Sequence, residues 1–382
     1  MEAVYFDHNA TTPVDPRVTA SMAPWFGGYF GNPSSIHAFG QRAREAVEAS
    51  RQQVARLLRV AAPEIVFTAS GTEANNTVLQ TVCQGLECPG HLVVSAVEHP
   101  SVRRPVETLA AAGWEVTWVE PDSQGRIDAA SMTAAVRSET RLVSLVLANN
   151  VVGTVQPVAE VATFCREAEV PLHCDAVQAV GKIGVHPEKL GVDYLTLGAH
   201  KFYGPLGAAA LWVRPGAALK PLLQGGNQER QRRAGTQNVA AIVGLGRAAE
   251  LAQAELEARS LHVLELRRRF ESGLQEIPDT VIHGERVERL PNTTHVALLG
   301  VDNLALLIRL DLAGFAVSAG SACSAGTVEP SQTLLSMGVC RDEAMSAIRV
   351  SFGQGNTSEE VDRFLAELAG QVAELRRLAV TT

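Results

Sequence analysis

Seven short apolar runs, each followed by small, polar or titratable residues, constrain this chain more than any other feature. They read "EIVFTA" (64–69), "HLVVSAV" (91–97), "WEVTWVE" (114–120), "RLVSLVLA" (141–148), "PLHCDAV" (171–177), "DYLTLGA" (193–199) and "AAALWV" (208–213). Several are continuously apolar, as strands buried on both faces must be. Helical stretches lie between them at 73–83, 100–111, 128–137 and 158–168. This alternation predicts an α/β chain built on a doubly wound, mainly parallel sheet of seven strands. Residues 238–276 read as one long amphipathic helix rich in Ala, Leu, Glu and Arg. After it, short strands near 280, 295, 316 and 348 interleave with helices at 302–313 and 358–378. That pattern predicts a smaller α+β domain. We divide the chain into a large domain, 1–255, and a small C-terminal domain, 256–382, with the first ~14 residues packed on the small one.

Composition limits the partners. The chain has 382 residues, 46% hydrophobic and 19% charged, which suffices for two cores. The net charge is −8 with both signs mixed along the chain, so neither nucleic acid nor an anionic membrane is an expected partner. No apolar run approaches the roughly 20 residues that span a bilayer. The start, "MEAVYFDHNATTPVDP", lacks the basic and apolar regions of a secretory signal. A cytoplasmic location is the expectation.

The six cysteines are Cys83, Cys88, Cys165, Cys174, Cys323 and Cys340. None forms a C-x-x-C pair or pairs with histidine at zinc spacing, so no metal site is expected and the thiols read as reduced. Cys165 and Cys174 lie in apolar contexts, as core cysteines do. Cys83 and Cys88 flank a helix end, and Cys340 follows a helix. Cys323 differs: it sits in "AVSAGSACSAGTVEPS" (316–331), ringed by Gly, Ala and Ser. Such a loop gives a thiol backbone freedom and little surrounding bulk.

Ligands of open α/β sheets bind beyond the carboxyl ends of the strands. The residues there read "SGTEANN" (70–76), "EHPSV" (98–102), "NNVVG" (149–153), "DAVQAVG" (175–181) and "HKFYGPLG" (200–207). Lys201 at such an end is either a surface lysine or a desolvated amine able to bond covalently to a carbonyl. Asp175 is either a helix cap or a buried carboxylate needing a cation, which a protonated pyridine nitrogen would supply. Gly71 and Thr72 open a helix whose free N–H groups suit a phosphate. His99 could stack on a flat ring or move protons. Together these residues point to a pyridoxal phosphate site.

At this point the sequence resembles the cysteine desulfurases, class V aminotransferase-like enzymes of fold type I. The resemblance runs through "FDHNATTPVDP", "FGNPSSIHAFG", "EIVFTASGTEANN", "EHPSV", "CDAVQAVGK", "AHKFYGPLG", "GGNQERQRRAGTQN", "SAGSACSAGTVEPS" and "IRVSFG", in family order. It implies that Lys201 anchors pyridoxal 5'-phosphate covalently, that Asp175 pairs with the pyridinium nitrogen and that Gln178 bonds the phenolic oxygen. It implies that His99 stacks on the ring and serves catalysis. Gly71, Thr72 and His200 would hold the phosphate, with Thr236 reaching in from the second subunit of a homodimer. Asn150 and Arg349 would grip the carboxylate of L-cysteine, and Cys323 would accept its sulfur. The persulfide would pass to an acceptor such as an iron–sulfur scaffold protein or a thiolation partner.

The chain departs from the family pattern at Val151, Gly198 and Gln354, and at Ala69 and Ser70 before Gly71. Many members carry serine at the position of Gly198. The tail with which housekeeping members dock an iron–sulfur scaffold is expected to be absent. A selenocysteine lyase or another class V enzyme is the alternative reading.

Overall fold

The structure is a computed structural model that describes residues 3–83, 89–320 and 329–379. All seven runs form strands of one sheet. The strand β1 (Val4–Tyr5) and helices α1 (Pro16–Met22) and α2 (Ala38–Leu58) precede it. The sheet comprises β2 (Ile65–Thr68), β3 (His91–Ser95), β4 (Glu115–Val119), β5 (Thr140–Ser144), β6 (Leu172–Asp175), β7 (Tyr194–Gly198) and β8 (Ala209–Val213). Their order is β2-β8-β7-β6-β5-β3-β4. Only β8 runs against its neighbours β2 and β7. Six carboxyl ends, those of β2, β7, β6, β5, β3 and β4, therefore open on one edge.

The connections include α3 (Gly71–Cys83), α4 (Pro100–Ala111), α5 (Ala129–Ala134), α6 (Val158–Glu167) and α7 (Pro187–Leu190). Alternate residues of the strands feed opposite faces. On β3, Val93 enters one core with Leu145, Cys174 and Leu197, while Leu92 and Val94 enter another with Ala74, Leu142 and Leu211. Each fully buried aliphatic side chain of this kind contributes about 1.5–3 kcal/mol. The two covered faces explain why the runs are apolar throughout.

The sequence reading named no element before the sheet, yet α2 spans 21 residues. It buries Ala43, Val47, Val54 and Leu58 along one stripe and lies against the long helix α8 (Val239–Leu274). That helix is continuous. Its first half, with Leu245, Ala249 and Ala252, packs on the sheet. Its second half, with Val263, Leu266 and Phe270, enters a separate core.

After α8 come β9 (Thr280–Ile282), β10 (Thr293–Leu298), α9 (Asn303–Leu312), β11 (Phe315–Ala316), α10 (Gln332–Ser336), α11 (Arg341–Met345), β12 (Ala347–Ser351) and α12 (Ser358–Ala379), and all but α10 and α11, whose Leu334 and Ala344 pack with Val152 and Ala297, contribute to that second core. An antiparallel sheet in the order β12-β10-β9 carries it. β1 pairs in parallel with β11, and Val4 and Phe6 lie in this core. The amino-terminal segment thus joins the second core before it crosses to the strand ends of the first. Among the described residues no helix is long and apolar enough to cross a membrane.

Candidate active site

The common edge of the strands holds a cavity of about 220 Å³. Its wall includes Gly71, Thr72, His99, Asn150, Asp175, Gln178, His200 and Lys201, together with Ser70, Asn75, Ser101 and Val177. Eight of the residues singled out from sequence meet here. Arg349 and Thr236 are not in this wall. Cys323 lies outside the described residues, as does Cys88. Thr236 is exposed on the loop before α8. Arg349 is buried behind Asn150: it donates to the Asn150 carbonyl at 2.9 Å and to Asp7 Oδ1 at 2.6 Å.

Lys201 closes a single 3-10 turn, Ala199–Lys201, at the end of β7. Its Nζ donates to the carbonyls of Asn9 and Ala10, each at 2.6 Å. Burial lowers its pKa to about 8, with the Arg349 charge adding to the shift. Next to it, burial and the Lys201 charge lower His200 to about 4, and its Nδ1 lies 3.2 Å from Thr11 Oγ1.

Asp175 ends β6 and is 4% exposed. Its oxygens accept from Asn75 Nδ2 at 2.7 Å and from the Val177 N–H at 3.0 Å. Asn75 also donates to Ser101 Oγ at 2.9 Å, and its Oδ1 lies 3.2 Å from His173 Nε2. The other nitrogen of His173 meets Ser144 Oγ at 2.9 Å. A buried polar chain therefore backs the carboxylate. His99 caps α4, with Nδ1 accepting from the Ser101 N–H at 3.1 Å. That bond fixes the neutral tautomer with its proton on Nε2. Burial lowers the pKa of His99, and the Lys201 charge acts in the same direction.

α3 begins at Gly71, which also lines the cavity. The first-turn N–H groups of Gly71 and Thr72 have no helical acceptor. A Cβ at Gly71 would stand 2.8 Å from Val177 Cγ2, so the close approach of the two segments requires glycine. The positive end of α3 and these N–H groups form an anion cradle.

The sequence reading assigned no part to Asn9, Asn75, Ser101 or Lys182. All four sit in quoted motifs, "FDHNATT", "TEANN", "EHPSV" and "AVGK". That was the only signal available, because Asn9 and Asn75 meet Lys182, Asp175 and Ser101 from distant parts of the chain. Asn9 is the extreme case. Its carbonyl receives Lys201 and Gln178, its Oδ1 receives Lys182 and Asn292, and its Nδ2 donates to Thr293.

This arrangement has close counterparts. The profile of the family "Aminotransferase class-V" matches residues 4–364. The cysteine desulfurase IscS of Dictyoglomus turgidum is 40% identical over 378 residues, covering 98% of this chain and 96% of the relative. That of Anaeromyxobacter dehalogenans is 43% identical over 381 residues, covering 98% and 94%. A solved NifS-like protein superposes with a TM-score of 0.92 at 38% identity, over 98% of this chain and all of the other. With the profile spanning both cores and relatives this similar from end to end, the chain belongs to the class-V aminotransferase family.

Proposed function

We propose that this chain is a pyridoxal phosphate-dependent cysteine desulfurase that converts L-cysteine to L-alanine and leaves the sulfur as a persulfide on Cys323. The observation that carries the reading is the convergence of a depressed lysine, a buried carboxylate and the Gly71 and Thr72 N–H groups at a helix N-terminus on one cavity. These three match the aldehyde, the pyridine nitrogen and the phosphate of the cofactor.

The residues present fit that group. Among the described residues Asp175 accepts only from N–H groups of neutral partners, so a protonated ring nitrogen would neutralise its buried charge. Gly71, Thr72 and His200 would hold the phosphate, and Gln178 would face the phenolic oxygen. When bound, pyridoxal phosphate supplies an electron sink for negative charge developing at the substrate Cα. Asp175 would keep the ring nitrogen protonated, and Asn75 holds Asp175 in place. Lys201 would anchor the cofactor, and its Nζ, once released, would take the proton from the substrate Cα. With a pKa of about 8, its neutral fraction grows as pH rises through the neutral range. Asn150 and Arg349 would orient the substrate carboxylate. The Cys323 thiolate attacks the substrate sulfur. One S–S bond forms, the substrate C–S bond breaks, and protons complete alanine.

A homodimer, a cytoplasmic location and a sulfur acceptor such as an iron–sulfur scaffold belong to the same proposal. So does the division into domains at residue 255, near which α8 passes from one core to the other. The test is an absorbance spectrum of the purified protein before and after L-cysteine, with alanine assayed. We expect a visible band that shifts on cysteine and yields alanine. Cys323→Ser should keep the band and lose turnover. A protein that stays colourless after reconstitution overturns the reading.

A further inference from the structure

Of the 33 basic residues of this chain only four are lysine: Lys182, Lys189, Lys201 and Lys220. A chain that uses arginine almost everywhere keeps Lys201 in the wall of this cavity and Lys182 close behind it. Lys182 is buried behind Gln178. Its Nζ donates to Gln178 Oε1 at 2.7 Å and to Asn9 Oδ1 at 2.9 Å. The Asn9 carbonyl accepts from Gln178 Nε2 at 2.8 Å and from Lys201 Nζ at 2.6 Å. One asparagine thus joins both lysines and the glutamine.

We propose that Lys182 is a positioning residue of the cofactor site, fixing through Gln178 and Asn9 which edge of the Gln178 carboxamide faces the cavity and where Lys201 is held. The inference rests on the pyridoxal phosphate reading above. Its logic is a count of donors. The Lys182 amine donates at this contact, and a main-chain carbonyl can only accept. The carboxamide held between them has one orientation, oxygen to Lys182 and nitrogen to Asn9. The second N–H of Gln178 is then left for an anionic oxygen in the cavity.

Two acceptors receive Lys182, and an uncharged amine has two N–H groups. The third N–H of an ammonium finds no acceptor among the described residues. Burial pushes Lys182 well below the usual lysine range, and the charges of Lys201 and Arg349 push the same way. His8 also senses Lys182 and is itself lowered to about 4 by burial. Among the described residues no carboxylate bonds Lys182. An arginine, always charged and with five donors, could not replace it.

The test is NMR of the holoenzyme labelled with isotopic lysine, where four side chains make assignment by substitution direct. We expect Lys182 to give a neutral-amine signal near neutral pH, as two N–H groups for two acceptors require, and that signal to move in Gln178→Leu. A Lys182 signal unmoved by Gln178→Leu overturns the inference. Lys182→Met, which keeps length and removes both donors, supplies the second readout. It should weaken pyridoxal phosphate binding by about tenfold. It should also raise the pH midpoint of the visible band by about one unit, because the donor to the phenolic oxygen is no longer held. A folded variant with an unchanged midpoint overturns the inference, whereas a colourless wild type would sink the cofactor reading instead. If Lys182→Met does not fold, the comparison of the Lys182 signal in the wild type and in Gln178→Leu decides.

Discussion

Glu98 stands one residue before His99 with its carboxyl turned into the protein. Oε1 accepts from Ser95 Oγ at 2.8 Å and from the Val146 N–H at 2.6 Å. Oε2 is buried without a partner among the described residues. Burial, reinforced by the charge of Asp175, pushes its pKa up to about 8. The folded state then holds a proton that the unfolded chain releases near the ordinary value of about 4.3. Stability from this group is fully present below that value and is lost as pH rises to about 8. Glu98→Gln mimics the protonated acid. Its Tm should stay flatter than that of the wild type between mildly acidic and mildly alkaline pH, and exceed it at the alkaline end. Parallel curves would mean that Glu98 is ionised in the fold.

Gly198 gives a second residue-scale outcome. A Cβ there would lie 3.6 Å from His200 Cδ2 and from Val177 Cγ1, an ordinary contact. Gly198→Ser should therefore fold, and its hydroxyl should tighten pyridoxal phosphate binding by about fivefold, the equivalent of one hydrogen bond of ~1 kcal/mol. Unchanged affinity in a titration of the apoprotein would place the phosphate elsewhere. At this scale the sequence was legible wherever chemistry followed directly on a strand, as for Lys201, Asp175 and His99. It was not legible at Asn9, Asn75 and Lys182. Asn75 meets Asp175 across 100 positions and Asn9 meets Lys182 across 173, and only folding creates those pairs.

Among the elements, the loop before α8 depends on a helix that the sequence reading did not anticipate. Arg51 of α2 grips Glu229 with both terminal nitrogens, at 2.6 and 2.9 Å, and Glu229 also accepts from the Phe67 N–H at 3.0 Å. Both side chains are buried. The pair holds Glu229, Arg230 and Gln231 at positive φ, 48°, 57° and 66°, where non-glycine residues are strained. Arg233 ties the same loop to Glu73 in the first turn of α3. Removing one partner leaves a buried charge unmatched, so Arg51→Met should cost about 3–5 kcal/mol in denaturant unfolding. Adding Glu229→Gln should recover part of that loss. A single-variant loss below about 1 kcal/mol would mean that the pair is solvated. The sheet strands were legible because burial on both faces leaves an uninterrupted apolar run. The helix α2 has one apolar stripe within a charged sequence, and it precedes the alternation that guided the reading.

For the whole molecule the question is what covers the segment between α1 and α2. Phe26 is 74% exposed, Phe30 66% and Ile36 87%, and the Phe30 ring lies 5.1 Å from that of Phe39. Clustered apolar exposure of this kind marks a surface made for contact. Thr236 is exposed on its loop and absent from the wall of its own cavity. Both observations have one solution if a second copy buries the aromatic segment and lends Thr236 to the neighbouring cavity, as an isologous pair allows. Sedimentation of the wild type should then give a dimer. The double variant Phe30→Asp/Ile36→Asp should sediment as a monomer and bind pyridoxal phosphate at least about tenfold more weakly. Thr236→Ala should weaken binding by less while remaining dimeric, because it loses one hydroxyl contact rather than the interface. The separation of these two variants is what the arrangement demands. A wild-type monomer with full cofactor occupancy would show that each cavity is complete within one chain, and the exposed aromatic segment would then need another partner.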